Sequence, residues 1–150
     1  MHDHADKAKA LFESGYNCAQ AVLCAFEDVT GLDSKTAARI ASSFGGGLAR
    51  MREVCGTVSG AAMVLGAVFG YDDPGAAEAK KAHYHLIQEF AGRFREDNGS
   101  IICRELLAGS TVIPGNDPEK RTPEYYARRP CPNMVWYAAH LVDQFLNEKK

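Results

Sequence analysis

The stretch CGTVSGAAMVLGAVFG, Cys55 to Gly70, decides how the rest of the chain is read. Its apolar run is too short to span a bilayer and is interrupted at Gly56, Gly60, Gly66 and Gly70, so it reads as a central buried helix. Gly56, Gly60, Met63, Ala67 and Gly70 fall along one line of that helix, which predicts that another backbone or a cofactor comes unusually close there.

Working outward, the pattern is helical almost throughout. Asp6 to Glu13 is a short amphipathic start, and Gly15-Tyr16-Asn17 is a turn whose Asn17 caps a second helix. Cys18, Val22, Ala25, Phe26 and Val29 form the apolar face of that helix, and Gly31 closes it. Asp33 caps a third helix with Ala37, Ile40, Ala41 and Phe44 on one side, ended by Gly45-Gly46-Gly47. Beyond the central helix, Asp72-Asp73-Pro74 caps the longest one, running to about Asn98 on a seam of Ala79, Leu86, Phe90 and Phe94. A short helix from about Ile102 to Leu107 holds Cys103. Five of the six prolines crowd in or beside the stretch from Gly109 to Cys131, which predicts a long functional or disordered loop. The final helix carries Val135, Ala138, Val142 and Phe145, and Glu148-Lys149-Lys150 is expected to fray into water. No internal repeat and no alternating strand pattern occurs, so the expected fold is all-α: residues 1–150 as one compact helical bundle.

The 150 residues are 46% hydrophobic, enough for a sizeable core, and the net charge of −2 offers no basic field for nucleic acid. The start Met1-His2-Asp3-His4 lacks the cationic and apolar regions of a signal peptide. The expectation is a cytoplasmic protein without membrane insertion, whose cysteines stay reduced.

Four of the five cysteines stand where a helix begins: Cys18 after Asn17, Cys55 after Val54, Cys103 after Ser100 and two apolar residues, and Cys131 between Pro130 and Pro132. The first turn of a helix presents unpaired N–H groups and the positive end of the macrodipole, so a thiol there is expected to ionise more easily than in solution. Cys24 is the contrast, about 120° around its helix from Cys18 and on the side of Gln20, Glu27 and Asp28. Any one cysteine also has a plain reading as a small core residue. The separations exclude a local C-x-x-C knuckle, so a joint site has to be assembled by the fold. Arg50, Arg52, Arg128 and Arg129 lie within a few residues of Cys55 or Cys131 and could offset thiolate charge, although surface solubility is their commoner use. His83 and His85 point to nearly opposite sides of a helix, His2 and His4 read as a solvated tail, and His140 as a core residue. Tyr125 and Tyr126 read either as packing or as a cover folded over a site. No hydrolase nucleophile motif or paired acid–base carboxylate is present, and Gly45 to Gly47 does not complete G-x-G-x-x-G because Arg50 stands at its last glycine.

The segments Asn17-Cys18-Ala19-Gln20-Ala21-Val22, Phe44-Gly45-Gly46-Gly47 with Arg50-Met51, Cys55-Gly56-Thr57-Val58-Ser59-Gly60, Cys103-Arg104-Glu105-Leu106-Leu107 and Cys131 occur in the order of the C-GCAxxG-C-C family of small redox-active proteins, which the chain resembles. Thr57 stands where that family usually has Ala and adds a hydroxyl close to Cys55. The resemblance implies a helical fold, a redox role and Cys18, Cys55, Cys103 and Cys131 as the family's four cysteines. The family also looks related to a domain accompanying haem in the split-Soret type of cytochrome c, for which an iron–sulfur centre is suggested; without C-x-x-C-H, attached haem is not expected here.

The expectation is therefore a redox protein in which Cys18, Cys55, Cys103 and Cys131 hold an iron–sulfur or other metal centre for electron transfer, with Gly56, Gly60 and Arg50 against the cofactor. A thiol–disulfide couple between two of the cysteines and a structural zinc site in an interaction module stay open as alternatives. A redox partner protein of unspecified identity is expected, and a homodimer is left open.

Overall fold

The computed structural model describes residues 3–108 and 115–149, apart from the side chain of Arg128. The described residues form nine α-helices and no strand: α1 (Asp3–Glu13), α2 (Cys18–Ala25), α3 (Glu27–Thr30), α4 (Ser34–Ala41), α5 (Gly56–Phe69), α6 (Ala77–Asn98), α7 (Cys103–Leu106), α8 (Pro123–Arg128) and α9 (Cys131–Lys149). The fold is all-α. No helix among them is long and apolar enough to cross a membrane.

Helix starts follow side-chain chemistry. Asn17 and Gln20 make a reciprocal capping box at α2, where the Gln20 N–H donates to Asn17 Oδ1 at 2.8 Å and the Asn17 N–H to Gln20 Oε1 at 3.0 Å. Asp33 accepts from the Thr36 N–H to start α4, and Gly31, at φ 76°, ends α3. The core lies where α5 is enclosed by α2, α6 and α9. Val22, Leu65, Phe90, Phe94, Val142 and Phe145 are among its large members, all fully buried.

Glycine brings α2 and α5 together. A Cβ at Gly60 would stand 2.8 Å from the Ala19 carbonyl oxygen, and one at Gly56 would collide with Cys18 Sγ. The predicted close approach is thus backbone against backbone over the first two turns of α5. It does not extend along the whole line: Ala67 is exposed and Gly70 caps the helix end.

Several expectations need correction. Helix α1 begins at Asp3, and His4 is no solvated tail: it stacks on Phe26 and bridges Asp28 and Asp143. The second helix breaks at Phe26, whose φ of −106° is no longer helical. Ile40 is 49% exposed and Ala79 is exposed, since α4 and the start of α6 lie at the surface. Asp73 accepts from the Gly75 N–H in a preceding turn, and α6 starts at Ala77 without a side-chain cap. The proline-rich stretch contains α8, with Thr122 as its cap and Pro123 in its first turn, while residues 109–114 and the terminal Lys150 lie outside the described residues. The last turn of α9 is held rather than frayed: Glu148 pairs with Arg93, and Lys149 with Glu89.

Gly60→Ala tests the α2–α5 contact. Alanine favours a helix interior by roughly 1 kcal/mol, but the added methyl meets fixed backbone, and overpacking of that kind costs about 1–3 kcal/mol. Net destabilisation is expected in urea unfolding, whereas Gly92→Ala in α6, with nothing within 4 Å of its added methyl, should stabilise.

Candidate functional site: four cysteines around one cavity

Each cysteine occupies a helix start. Cys18, Cys103 and Cys131 are the first residues of α2, α7 and α9, and Cys55 is the residue before α5. The chain segments leading to Cys55 and Cys103 are tied by an isolated antiparallel bridge between Val54 and Ile102. The Cys55 N–H donates to Ile101 O at 2.7 Å and the Cys103 N–H to Glu53 O at 2.6 Å, which sets these two cysteines side by side. Cys18 reaches the same end because of the Gly56–Gly60 contact.

The loop between α4 and α5 then wraps over them. Gly46, Gly47, Leu48, Ala49, Arg50 and Arg52 all have φ between 46° and 70°, four of them non-glycine residues in the left-handed region. Each such residue costs about 1–2 kcal/mol and persists only where its surroundings hold it. Here the Arg50, Arg52 and Glu53 N–H groups donate to Gly45, Gly46 and Gly47 carbonyls at 2.9–3.0 Å. Gly47 lies against Cys103, where a Cβ would come 2.6 Å from that of Cys103.

Cys18, Cys55, Cys103 and Cys131 all line one cavity of about 60 Å³. Gly56, Thr57, Tyr125 and three arginines, Arg52, Arg121 and Arg129, complete the part of its wall that bears on the chemistry. Thr57 Oγ1 is 3.1 Å from Cys55 Sγ, as the hydroxyl in place of the family's usual alanine implied. An Arg52 N–H donates to Cys103 Sγ at 3.8 Å. Gly60 faces Ala19 rather than the cavity, and Arg50 lines a neighbouring cavity instead. Cys24 stands apart and is buried, 3% exposed, with its thiol donating to Ser34 O at 3.7 Å. Glu27 stays within electrostatic reach of Cys24 and accepts a hydrogen bond from Ser34 Oγ, so one of the expected polar neighbours is present although the thiol is buried.

The chain from 115 to 130 supplies residues that sequence reading overlooked. Arg121 lies 4.3 Å over the Phe12 ring and donates to the Phe12 and Tyr16 carbonyls, while the Tyr126 hydroxyl donates to Glu13 O. These bonds fasten the segment to the carbonyls at and just after the end of α1 and hold Tyr125 against the cysteines. Glu119 Oε1 stands 2.5 Å from Arg129, 3.5 Å from Arg50 and 3.8 Å from Arg52. Nothing in the one-dimensional spacing marks Glu119 or Arg121. His140 is half-buried, stacked on Trp136, and His83 and His85 lie away from the cysteines.

At Cys18, Cys55 and Cys131 electrostatics overturns the expectation of easily ionised thiols. Burial raises Cys18, with Cys103 adding to the rise and the Gly46 N–H opposing it. Burial likewise raises Cys55 strongly, helped by Cys18, and pushes Cys131 up to about 12, with Arg129 and Arg121 pulling the other way. Loss of hydration outweighs the helix termini because a dipole end contributes about 0.3–1 kcal/mol, whereas desolvation shifts a buried group by several pKa units. The five cysteines are free thiols, and no three His, Cys, Asp or Glu side chains among the described residues stand as a group able to hold a metal ion.

Residues 16–145 match the family described as "Putative redox-active protein (C_GCAxxG_C_C)", a span that includes all four cavity cysteines. The chain belongs to this family. No curated protein and no solved structure matches it. For this C_GCAxxG_C_C protein the family supports a redox-active role without naming a cofactor or a substrate.

The raised thiols fix a pH dependence. A group whose folded pKa lies above its ordinary value, 9.0 for these cysteines, stabilises the fold below that value and loses the contribution as pH rises toward about 12. The urea midpoint of reduced, metal-free protein should therefore fall as pH rises from about 9 toward about 12, and the fall should be shallower in Cys131→Ser.

Proposed function

We propose that this redox-active protein uses Cys18, Cys55, Cys103 and Cys131 to hold a thiolate-bound metal centre for electron transfer, an iron–sulfur cluster before other metals. The observation that carries the reading is a single buried cavity lined by all four cysteines together with three arginines. Four thiolates around iron leave excess negative charge, and Arg52, Arg121, Arg129 and the Gly46 N–H supply the compensation. A cluster, whose cysteines bind different irons, suits cysteines that share a cavity without forming a ligand group for one ion; zinc, with four thiolates on one ion, suits them less. When bound, such a centre supplies one-electron transfer, and the chain's part is to ligate it, neutralise its charge and keep water from it.

The shared cavity also fits a second reading, a thiol–disulfide couple between two of these cysteines. It needs the thiols to be deprotonated from their raised state, by an oxidant-coupled base or by opening of the cavity.

Anaerobic reconstitution with iron and sulfide separates the two. Metal-cysteine binding predicts broad visible absorption with bound iron and acid-labile sulfide, most of it lost on Ser replacement of Cys18, Cys55, Cys103 or Cys131 and retained in Cys24→Ser. Colourless, metal-free protein that loses two thiols reversibly on mild oxidation supports the couple instead. Uptake of zinc alone, without a redox response, refutes both.

A further inference from the structure

Beside the thiol cavity lies a second one, of about 330 Å³, which shares Arg52, Arg121 and Arg129 with it and adds Arg50 and Glu119. Four guanidiniums against one carboxylate give its described lining a formal excess of three positive charges. These charges are not surface ones: the side chains of Arg50, Arg52 and Arg129 are 13%, 15% and 5% exposed, and that of Glu119 is 16% exposed. All three arginines converge on the same oxygen, Glu119 Oε1. Taking a guanidinium out of water costs several kcal/mol unless charge and hydrogen bonds compensate. A cavity of this size with that excess of positive charge in its described lining has room for a small anion.

The backbone is shaped to bring them there. Arg50 and Arg52 both sit at φ 63°, a conformation side-chain-bearing residues rarely take, held by the loop bonds to Gly45 and Gly46. Arg50 also donates to Gly115 O at 2.7 Å, which ties this loop to the segment carrying Glu119. Asn17 and Ser42 add neutral polar groups to the wall. Planar guanidiniums from separate segments match the clustered oxygens of phosphate-like and carboxylate anions.

We propose that this arginine-lined cavity binds a small, multiply charged oxyanion next to the thiol cavity, with Glu119 as the internal carboxylate that competes with it. The site goes beyond the redox reading and does not depend on it, because binding needs neither metal nor electron transfer.

Calorimetric titration of reduced, metal-free protein with inorganic phosphate and with succinate, against chloride at matched ionic strength, tests it. Saturable binding of at least one dianion with a Kd below about 1 mM is expected. Arg50→Gln should weaken it by about tenfold or more, while Arg93→Gln, on α6 and paired with Glu148 of α9, leaves it unchanged. Glu119→Gln should tighten it and enlarge the rise in melting temperature that the anion produces. If Arg50→Gln does not fold, the Glu119→Gln comparison decides. No saturable binding of either dianion, or affinities indifferent to both substitutions, overturns the proposal.

Discussion

The contact between α2 and α5 is the constraint on which the rest depends. Because Gly56 and Gly60 have no side chains, the Ala19 backbone lies directly on the first turns of α5. That closeness sets the first residue of α2 and the residue before α5, Cys18 and Cys55, at one end of the molecule. Larger residues would separate the helices and part the two cysteines before any other feature of the site was lost. The bridge of Val54 with Ile102 then adds Cys103, and the packing of α9 on α1, α2 and α5 adds Cys131.

Placing four thiols around one cavity has an electrostatic consequence. Each is held in its protonated form where its shift is clear, and burial is the first cause at Cys18, Cys55 and Cys131. Removing their protons, for a metal or for an oxidant, has to be matched by positive charge. The arginines meet that need from two directions, Arg52 from the left-handed loop and Arg121 and Arg129 from the segment before α9. Glu119 keeps the guanidiniums from repelling one another while the thiols are neutral. Buried charge of both signs thus stands ready around a site whose own charge changes with its chemistry.

The segment before α9 is therefore part of the site and not a passive connection. Arg121 and Tyr126 complete the end of α1, which locks Tyr125 and Arg129 over the cysteines. The same bonds couple the wall of the cavity to the packing of α1 on α9.

The amino-acid pattern by itself determined the all-α fold, the buried central helix, the caps at Asn17 and Asp33 and the helix-start address of four cysteines, because these depend on local periodicity and on side chains bonding to nearby backbone. It also carried the family. Its errors have local causes: Ile40 and Ala79 have the right period on helices whose neighbours leave them uncovered, and Cys24 is buried by the packing around α2 despite the polar residues near it. Tertiary structure alone decided that the four cysteines line one cavity, since each is separated from the next by at least a whole helix. It alone decided that burial outweighs the helix termini at Cys18, Cys55 and Cys131, because desolvation depends on what surrounds a group in space. Glu119 and Arg121 were invisible for the same reason: their partners, Arg50, Arg52 and the end of α1, are distant in the chain, and only folding brings the charges within reach.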